Sequence, residues 1–279
     1  MSKNFDELAA RMKGYEKDSR TTLSADQPVI IRVDGKAFHT FTKGLRKPFD
    51  SILTATMQET MQHLCKNVQN CVFGYTQSDE ITLVLVTDKK EKTDPWFGNN
   101  VQKMCSVAAS MATVAFNKAF YERSDDFLAM QAEAWNVSDT DIKYGECLET
   151  KFFAATFDAR AFNIPKEDII NNLIWRQKDA IRNSIMATGR AYFSHKQLHD
   201  KSSQKVIAML REEKNLRWED IPLQNQRGSC CYRRSVTDSI PDPRHPSQMI
   251  TVNRNPWLID YSIPLFTEER DYVEVHLGN

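Results

Sequence analysis

The strongest constraint in this sequence is the order in which two hydrophobic periods alternate along its first 160 residues. PVIIRVD at 28–34 is a short β-branched run closed by Gly35, the pattern of a buried strand entering a turn. From Asp50 the spacing of Ile52, Leu53, Met57, Met61 and Leu64 predicts a helix, with Asp50 or Ser51 as its N-cap. CVFGYTQ at 71–77 and ITLVLVT at 81–87 read as the arms of a hairpin whose turn, Ser78-Asp79-Glu80, carries carboxylates. A second helix is expected over 97–121 and a further strand over 152–160, FFAATFDAR. Strand, helix, strand, strand, helix, strand is the split βαβ order. The expected class is therefore α+β: a ferredoxin-like, palm-type antiparallel sheet with helices on one face, plus helical and C-terminal extensions. Many unrelated proteins share that layout, so it does not decide function.

The palm-type core is expected to occupy 1–160, with an acidic, irregular insertion near 122–150, and 161–279 to form a helical region and a C-terminal extension of strands and loops. A helix is predicted over 165–193 and another over 204–213, and the tail from Gln226 carries turn prolines at Pro241, Pro243, Pro246, Pro256 and Pro264. The 37 basic and 37 acidic residues cancel, so any nucleic-acid contact must come from local patches. Six cysteines without metal-type spacing read as reduced thiols, and no run reaches the length of a membrane span. A cytoplasmic protein is expected.

Asp34-Gly35 ends the first strand and Asp79 sits in the hairpin turn, so in the split βαβ layout the two carboxylates share one end of the sheet. Two carboxylates and a backbone carbonyl from Gly35 suit Mg²⁺, which keeps substrate phosphates and waters in its shell. The turn Gly35-Lys36-Ala37-Phe38-His39 offers backbone N–H groups to a triphosphate, and Lys43, Arg46 and Lys47 follow it. The competing reading makes both aspartates ordinary strand-end turn residues.

RVDGKAFHTFTKGLRKPFD at 32–50 followed by GYTQSDEITLVL at 74–85 resembles the two metal-site motifs of the tRNA-His guanylyltransferase-like superfamily, the 3′–5′ nucleotide polymerases. WF at 96–97, Lys103 beside VAASMA, FDAR at 157–160 and WRQKDAIRNSI at 175–185 extend the resemblance over about residues 5–235. It implies a nucleotidyltransferase that adds nucleotides to the 5′ end of an RNA, with two Mg²⁺ ions, ATP, and GTP or other nucleoside triphosphates as substrates. By position, Asp34 and Asp79 match the catalytic, metal-binding carboxylates and Gly35 the carbonyl ligand. Asp34 to His39, with Ser78 and Asp79, matches the nucleotide-binding segment, Lys47 the activation site and Lys103 a triphosphate contact.

The sequence departs from the eukaryotic HINNLYN motif, for Ala180-Ile181-Arg182-Asn183-Ser184-Ile185 stands there and only Asn183 keeps its type. The bacterial, phage and archaeal members share this departure, which implies template-dependent repair of truncated tRNA 5′ ends in preference to G addition at position −1 of tRNA-His. Expected RNA contacts are Lys178, Arg182, Asn183, Arg233 and Arg234, and the resemblance implies a homotetramer that would present such patches from several subunits. A nucleotidyl cyclase and a non-catalytic RNA-binding module are the rival readings.

Overall fold

The computed structural model describes residues 2–87, 93–242, 244–245 and 248–277; the expected turn residues Pro243 and Pro246 lie outside them. In chain order the helices are α1 (Ser2–Asp18), α2 (Phe38–Phe41), α3 (Ser51–Asn67), α4 (Val101–Glu133), α5 (Asp139–Glu149), α6 (Ile169–Tyr192), α7 (His195–Leu198), α8 (Ser203–Lys214), α9 (Leu223–Arg227) and α10 (Asp271–Glu274). The strands are β1 (Val29–Gly35), β2 (Cys71–Gln77), β3 (Glu80–Leu85), β4 (Phe157–Asn163), β5 (Ser229–Arg233), β6 (Val236–Pro241), β7 (Met249–Arg254) and β8 (Trp257–Asp260).

The main sheet runs β4-β1-β3-β2-β5-β8, with every neighbouring pair antiparallel. Its first four strands take the split βαβ order, and the C-terminal extension adds two more at the β2 edge. The first half of β1, Val29 to Ile31, is apolar on both sides because both sides are covered there. Val29, Ile31 and Val33 face α3 and α4 through Met57, Met61, Met104 and Phe116. Ile30 faces the other way, into a second core built from Ile169, Ile170 and Leu173 of α6 and from Ile263, Phe266 and Val273 of the C-terminal segment. A third cluster joins α6 to α8 through Ile185, Val206 and Leu210. β6 and β7 form a separate two-stranded hairpin. No described helix is long and apolar enough to cross a membrane.

The stretch 122–150 is mostly helical rather than irregular, with a break at 134–138. α4 continues to Glu133, and α5 starts from Ser138, whose side chain accepts from the Asp141 N–H while Asp139 and Asp141 sit favourably in its positive first turn. Acidic composition concealed the helix because α5 buries only Tyr144, Gly145 and Leu148. The last palm strand also begins later than expected, at Phe157, after a turn in which the Asn117 amide brackets Ala155, donating to its carbonyl and accepting from its N–H. At the other end of α4 the expected start is displaced by a turn with positive φ at Phe97, Gly98 and Asn99, and Asn100 caps the helix.

Candidate active site

The β2–β3 connection is two residues long, Ser78 and Asp79, with Ser78 in the left-handed region at φ 51°. Glu80 therefore belongs to β3, where it pairs in register with both Asp34 and Gln77. The Gly35 N–H donates to the Asp79 carbonyl at 3.0 Å, which ties the end of β1 to the hairpin turn. Asp34 and Asp79 are thus brought to one end of the sheet, as the spacing required. Burial pushes the Asp79 carboxyl pKa up; the Ser78 hydroxyl, 3.0 Å from Oδ1, opposes this, and the nearby Asp34 charge adds to it. Arg160, 3.9 Å from Asp34 Oδ2, offsets part of the charge on that side, and a divalent cation between the two carboxylates would relieve what remains of their repulsion. No group of three or more His, Cys, Asp or Glu side chains gathers as a metal cage among the described residues. A set of two carboxylates and a carbonyl fits Mg²⁺ held jointly with substrate phosphates.

Beyond Asp34 the chain turns sharply. Lys36 N–H donates to Thr156 O at 2.9 Å, Ala37 adopts φ 55°, and the single turn of α2 follows. Phe38 points into the core, where it packs on Phe41, Phe116 and Phe157 with ring centroids 4.9–5.4 Å apart. A Cβ on Gly35 would lie 2.6 Å from Phe38 Cγ, so the glycine permits the ring to close under the turn. Lys36, Ala37 and His39 remain exposed.

A cavity of about 440 Å³ opens beside this turn, between α3, α6 and α9. It collects His39, Lys47, Ser78 and Asn183 from the expected set, and its walls include Met57, Gln58, Ala180, Arg190 and Asn225. Gln58 is a wall residue that sequence reasoning missed: its amide donates to Gln224 Oε1 at 2.9 Å and to Ser229 Oγ at 2.8 Å. The available signal was a glutamine among the buried Met57, Met61 and Leu64 of α3, where the two buried threonines bond back to their own helix. Arg46 also lines the cavity, but its guanidinium is engaged outside it. It pairs with Asp141 at 2.6 Å and lies 4.2 Å over the Tyr144 ring, while Tyr144 donates to Asp50, the N-cap of α3.

The WRQ segment of α6 braces the site from the face of the sheet on which Asp34, Arg32 and Glu80 project, the face away from α3 and α4. Arg176 forks onto Glu80 with both contacts at 2.7 Å and also reaches Asp179 at 3.1 Å. Burial raises the Glu80 carboxyl pKa against the pull of Arg176, and the guanidinium is in turn held charged by Glu80 and Asp179. Gln177 donates to Pro264 O and accepts from Phe266 N–H, locking the C-terminal segment onto the sheet.

Other expected residues are not gathered there. Thr113 accepts from Phe157 N–H, and Phe157 pairs with Gly35, so Thr113 marks the level of the site on α4. Lys103 lies ten residues earlier, about 15 Å along the axis, because the N-terminus of α4 packs at the far end of the sheet. Arg233 and Arg234 also lie at that far end, since β5 runs away from its Ser229–Thr76 pairing. Lys178 is exposed, Arg182 pairs with Asp179 at 2.6 Å, and the Asn183 amide lies 3.4 Å from the same carboxylate. A third carboxylate, Asp158, pairs in register with Asp34 and shares Arg160 with it.

Residues 9–165 match the model of the family described as Thg1, tRNAHis guanylyltransferase. An uncharacterised protein, R259, of Acanthamoeba polyphaga mimivirus is 27% identical over 245 residues, covering 84% of this chain and 80% of that protein. A probable tRNA(His) guanylyltransferase of Dictyostelium discoideum is 23% identical over 76% of this chain and 77% of its own length. Among solved structures, a bacterial tRNA(His) guanylyltransferase-like protein in complex with ATP superposes with a TM-score of 0.78 at 35% identity, covering 97% of this chain and 99% of that one. A bacterial protein of the same description in complex with GTP gives 0.69 at 31% identity over 98% and 100% of the two chains.

Proposed function

Because this chain belongs to the Thg1 family of tRNAHis guanylyltransferases, and is a nucleotidyltransferase, we propose that it adds nucleotides to the 5′ end of tRNA under the direction of the opposite strand. The observation that supports this reading best is the meeting of Asp34 and Asp79 at one end of the sheet, beside a cavity that holds His39, Lys47 and Ser78. An incoming nucleoside triphosphate occupies that cavity, with Lys47 and the turn from Gly35 to His39 on its phosphates. The RNA 5′-monophosphate is first joined to AMP from ATP, releasing pyrophosphate. The 3′-hydroxyl of the incoming nucleotide then attacks the 5′-phosphorus; a P–O bond forms and AMP leaves. An RNA that starts with a 5′-triphosphate needs no activation and releases pyrophosphate instead. Asp34, Asp79 and the Gly35 carbonyl would hold Mg²⁺, in a two-ion arrangement that lowers the hydroxyl pKa and neutralises the leaving group when bound.

Repair of shortened 5′ ends is preferred over G addition at position −1 because of Ile181. The polar motif of the dedicated enzymes would present a histidine there, whereas Ile181 packs its side chain against the cluster that joins α6 to α8. Base pairing then selects the nucleotide, and no side chain has to read it. We assign Lys103, Arg233 and Arg234, remote from Asp34 in their own chain, to contacts made across copies in a homotetramer. The test is to offer ATP, the four nucleotides and Mg²⁺ with either a tRNA lacking its first nucleotide or full-length tRNA-His. Faster extension of the shortened RNA is expected; faster G addition to the full-length RNA would reverse the assignment, and a cyclic nucleotide product would replace it with a cyclase.

A further inference from the structure

Trp175 is 54% exposed on α6, although its neighbours Arg176 and Gln177 are buried and fully engaged. The indole is held rather than loose: Arg176 Cζ lies 4.5 Å and Arg32 Cζ 5.7 Å from a ring centroid. More than half of a large aromatic surface therefore stays open to solvent in a fixed orientation, and no packing requirement of the fold accounts for it.

Its position relative to the carboxylates is set by the sheet. Arg32 precedes Asp34 by two residues on β1, so both project from the same face, about 7 Å apart. Arg160 is the register partner of Arg32 on the edge strand β4 and projects from that face too. Its side chain is half exposed, and its guanidinium stands 3.9 Å from Asp34 Oδ2. Behind the row containing Asp34 there is thus a row of two arginines, and the open indole rests against one of them. Trp175, Arg32 and Arg160, like Asp34 itself, stand outside the lining of the cavity beside Ser78 that is given to the incoming nucleotide. An open aromatic plate and, one strand beyond the arginine it rests on, a half-exposed guanidinium now shared by Asp158 at 3.2 Å and Asp34 at 3.9 Å together form a combination that can stack an unpaired or terminal base and hold its phosphate.

We propose that Trp175 is the platform on which the 5′-terminal base of the RNA stacks, with Arg160 holding that nucleotide's phosphate beside Asp34. This rests on the 5′-end addition reading above. It leaves the cavity to the nucleoside triphosphate and puts Asp34 between the two substrates, so that the terminal phosphorus faces the incoming hydroxyl. Stacking ignores base identity, which suits an enzyme whose specificity is delegated to pairing.

The test compares wild type with Trp175→Ala, Trp175→Phe and Arg160→Ala, using a 5′-truncated tRNA and a single nucleoside triphosphate as separate varied substrates. Loss of one base–aromatic stack is expected to raise KM for the RNA on the order of ten-fold in Trp175→Ala. KM for the nucleotide and the melting temperature should stay unchanged, and Trp175→Phe should recover most of the loss. Arg160→Ala should weaken RNA binding with a shallower salt dependence. Quenching of intrinsic fluorescence by the truncated tRNA should be diminished in Trp175→Phe, and this readout needs no turnover. Unchanged KM for RNA in Trp175→Ala, or equal changes for RNA and nucleotide, would overturn the proposal, as would a lower melting temperature with reduced kcat alone, which would make Trp175 only a clamp for Arg32. RNA-dependent quenching at Trp175 in a protein that extends no 5′ end would keep the platform and remove the functional reading beneath it.

Discussion

Replacing Arg176 by alanine would expose how much of the site depends on one buried ion pair. Arg176 and Glu80 have side chains only 9% and 8% exposed, and the two 2.7 Å contacts satisfy both carboxylate oxygens. In Arg176→Ala the remaining cation near Glu80 is Arg32, at 4.0 Å. Stranding a buried charge in this way costs about 3–5 kcal/mol. At roughly 2–4 °C per kcal/mol for a chain of this size, the melting temperature should fall by about 6–20 °C. The loss should depend on pH with a definite sign. Burial already places the Glu80 pKa in the folded protein above its unfolded value, and without Arg176 it rises further. A proton on Glu80 then stabilises the fold, fully below the unfolded pKa, and that contribution disappears as pH rises through the folded pKa. Calorimetry of wild type and variant should therefore show a gap that is large at neutral pH and narrows on acidification. Adding Glu80→Gln to Arg176→Ala should recover much of the stability at neutral pH. An Arg176→Ala protein that melts within a degree of wild type, or a gap that widens in acid, would refute this account of the pair.

Asp79→Asn should abolish 5′ extension yet, without divalent ions, raise stability by roughly 0.5–2 kcal/mol at neutral pH, because it removes a repelled, partly buried charge while keeping an acceptor for Ser78; denaturant unfolding in chelator checks the sign. Gly35→Ala drives a methyl group into the Phe38 ring, which Phe41, Phe116 and Phe157 prevent from moving, so a loss of roughly 1–3 kcal/mol and of activity is expected in the same unfolding and extension assays. Lys47→Ala should raise KM for the nucleotide about ten-fold or more while leaving the melting temperature unchanged, since the side chain is exposed at the cavity wall.

What was legible in the sequence was local. β1, α3, β2 and β3 each announce themselves by period, and the short hairpin turn forces Asp79 to the same end as Asp34. What was hidden depends on contacts between distant segments. Arg176 and Glu80 are 96 positions apart, and their pairing needs both the sheet register and the packing of α6 across the second core. Gln58 gains its meaning only when Gln224 and Ser229 arrive from the C-terminal extension. Lys103 follows the family spacing, but a helix turns spacing into direction as well as distance, and α4 carries it away from the site. α5 was hidden because a helix with one narrow buried stripe has the composition of a loop.

The most direct test of the central claim is the binding of Mn²⁺, measured by electron paramagnetic resonance in the presence of a non-hydrolysable nucleoside triphosphate. Wild type should bind the ion only together with the nucleotide, and Asp34→Asn, Asp79→Asn and the double variant should lose that binding to the same extent, as members of one site do. Full retention of nucleotide-dependent Mn²⁺ in either single variant would show that the two aspartates do not share an ion, and would contradict the account.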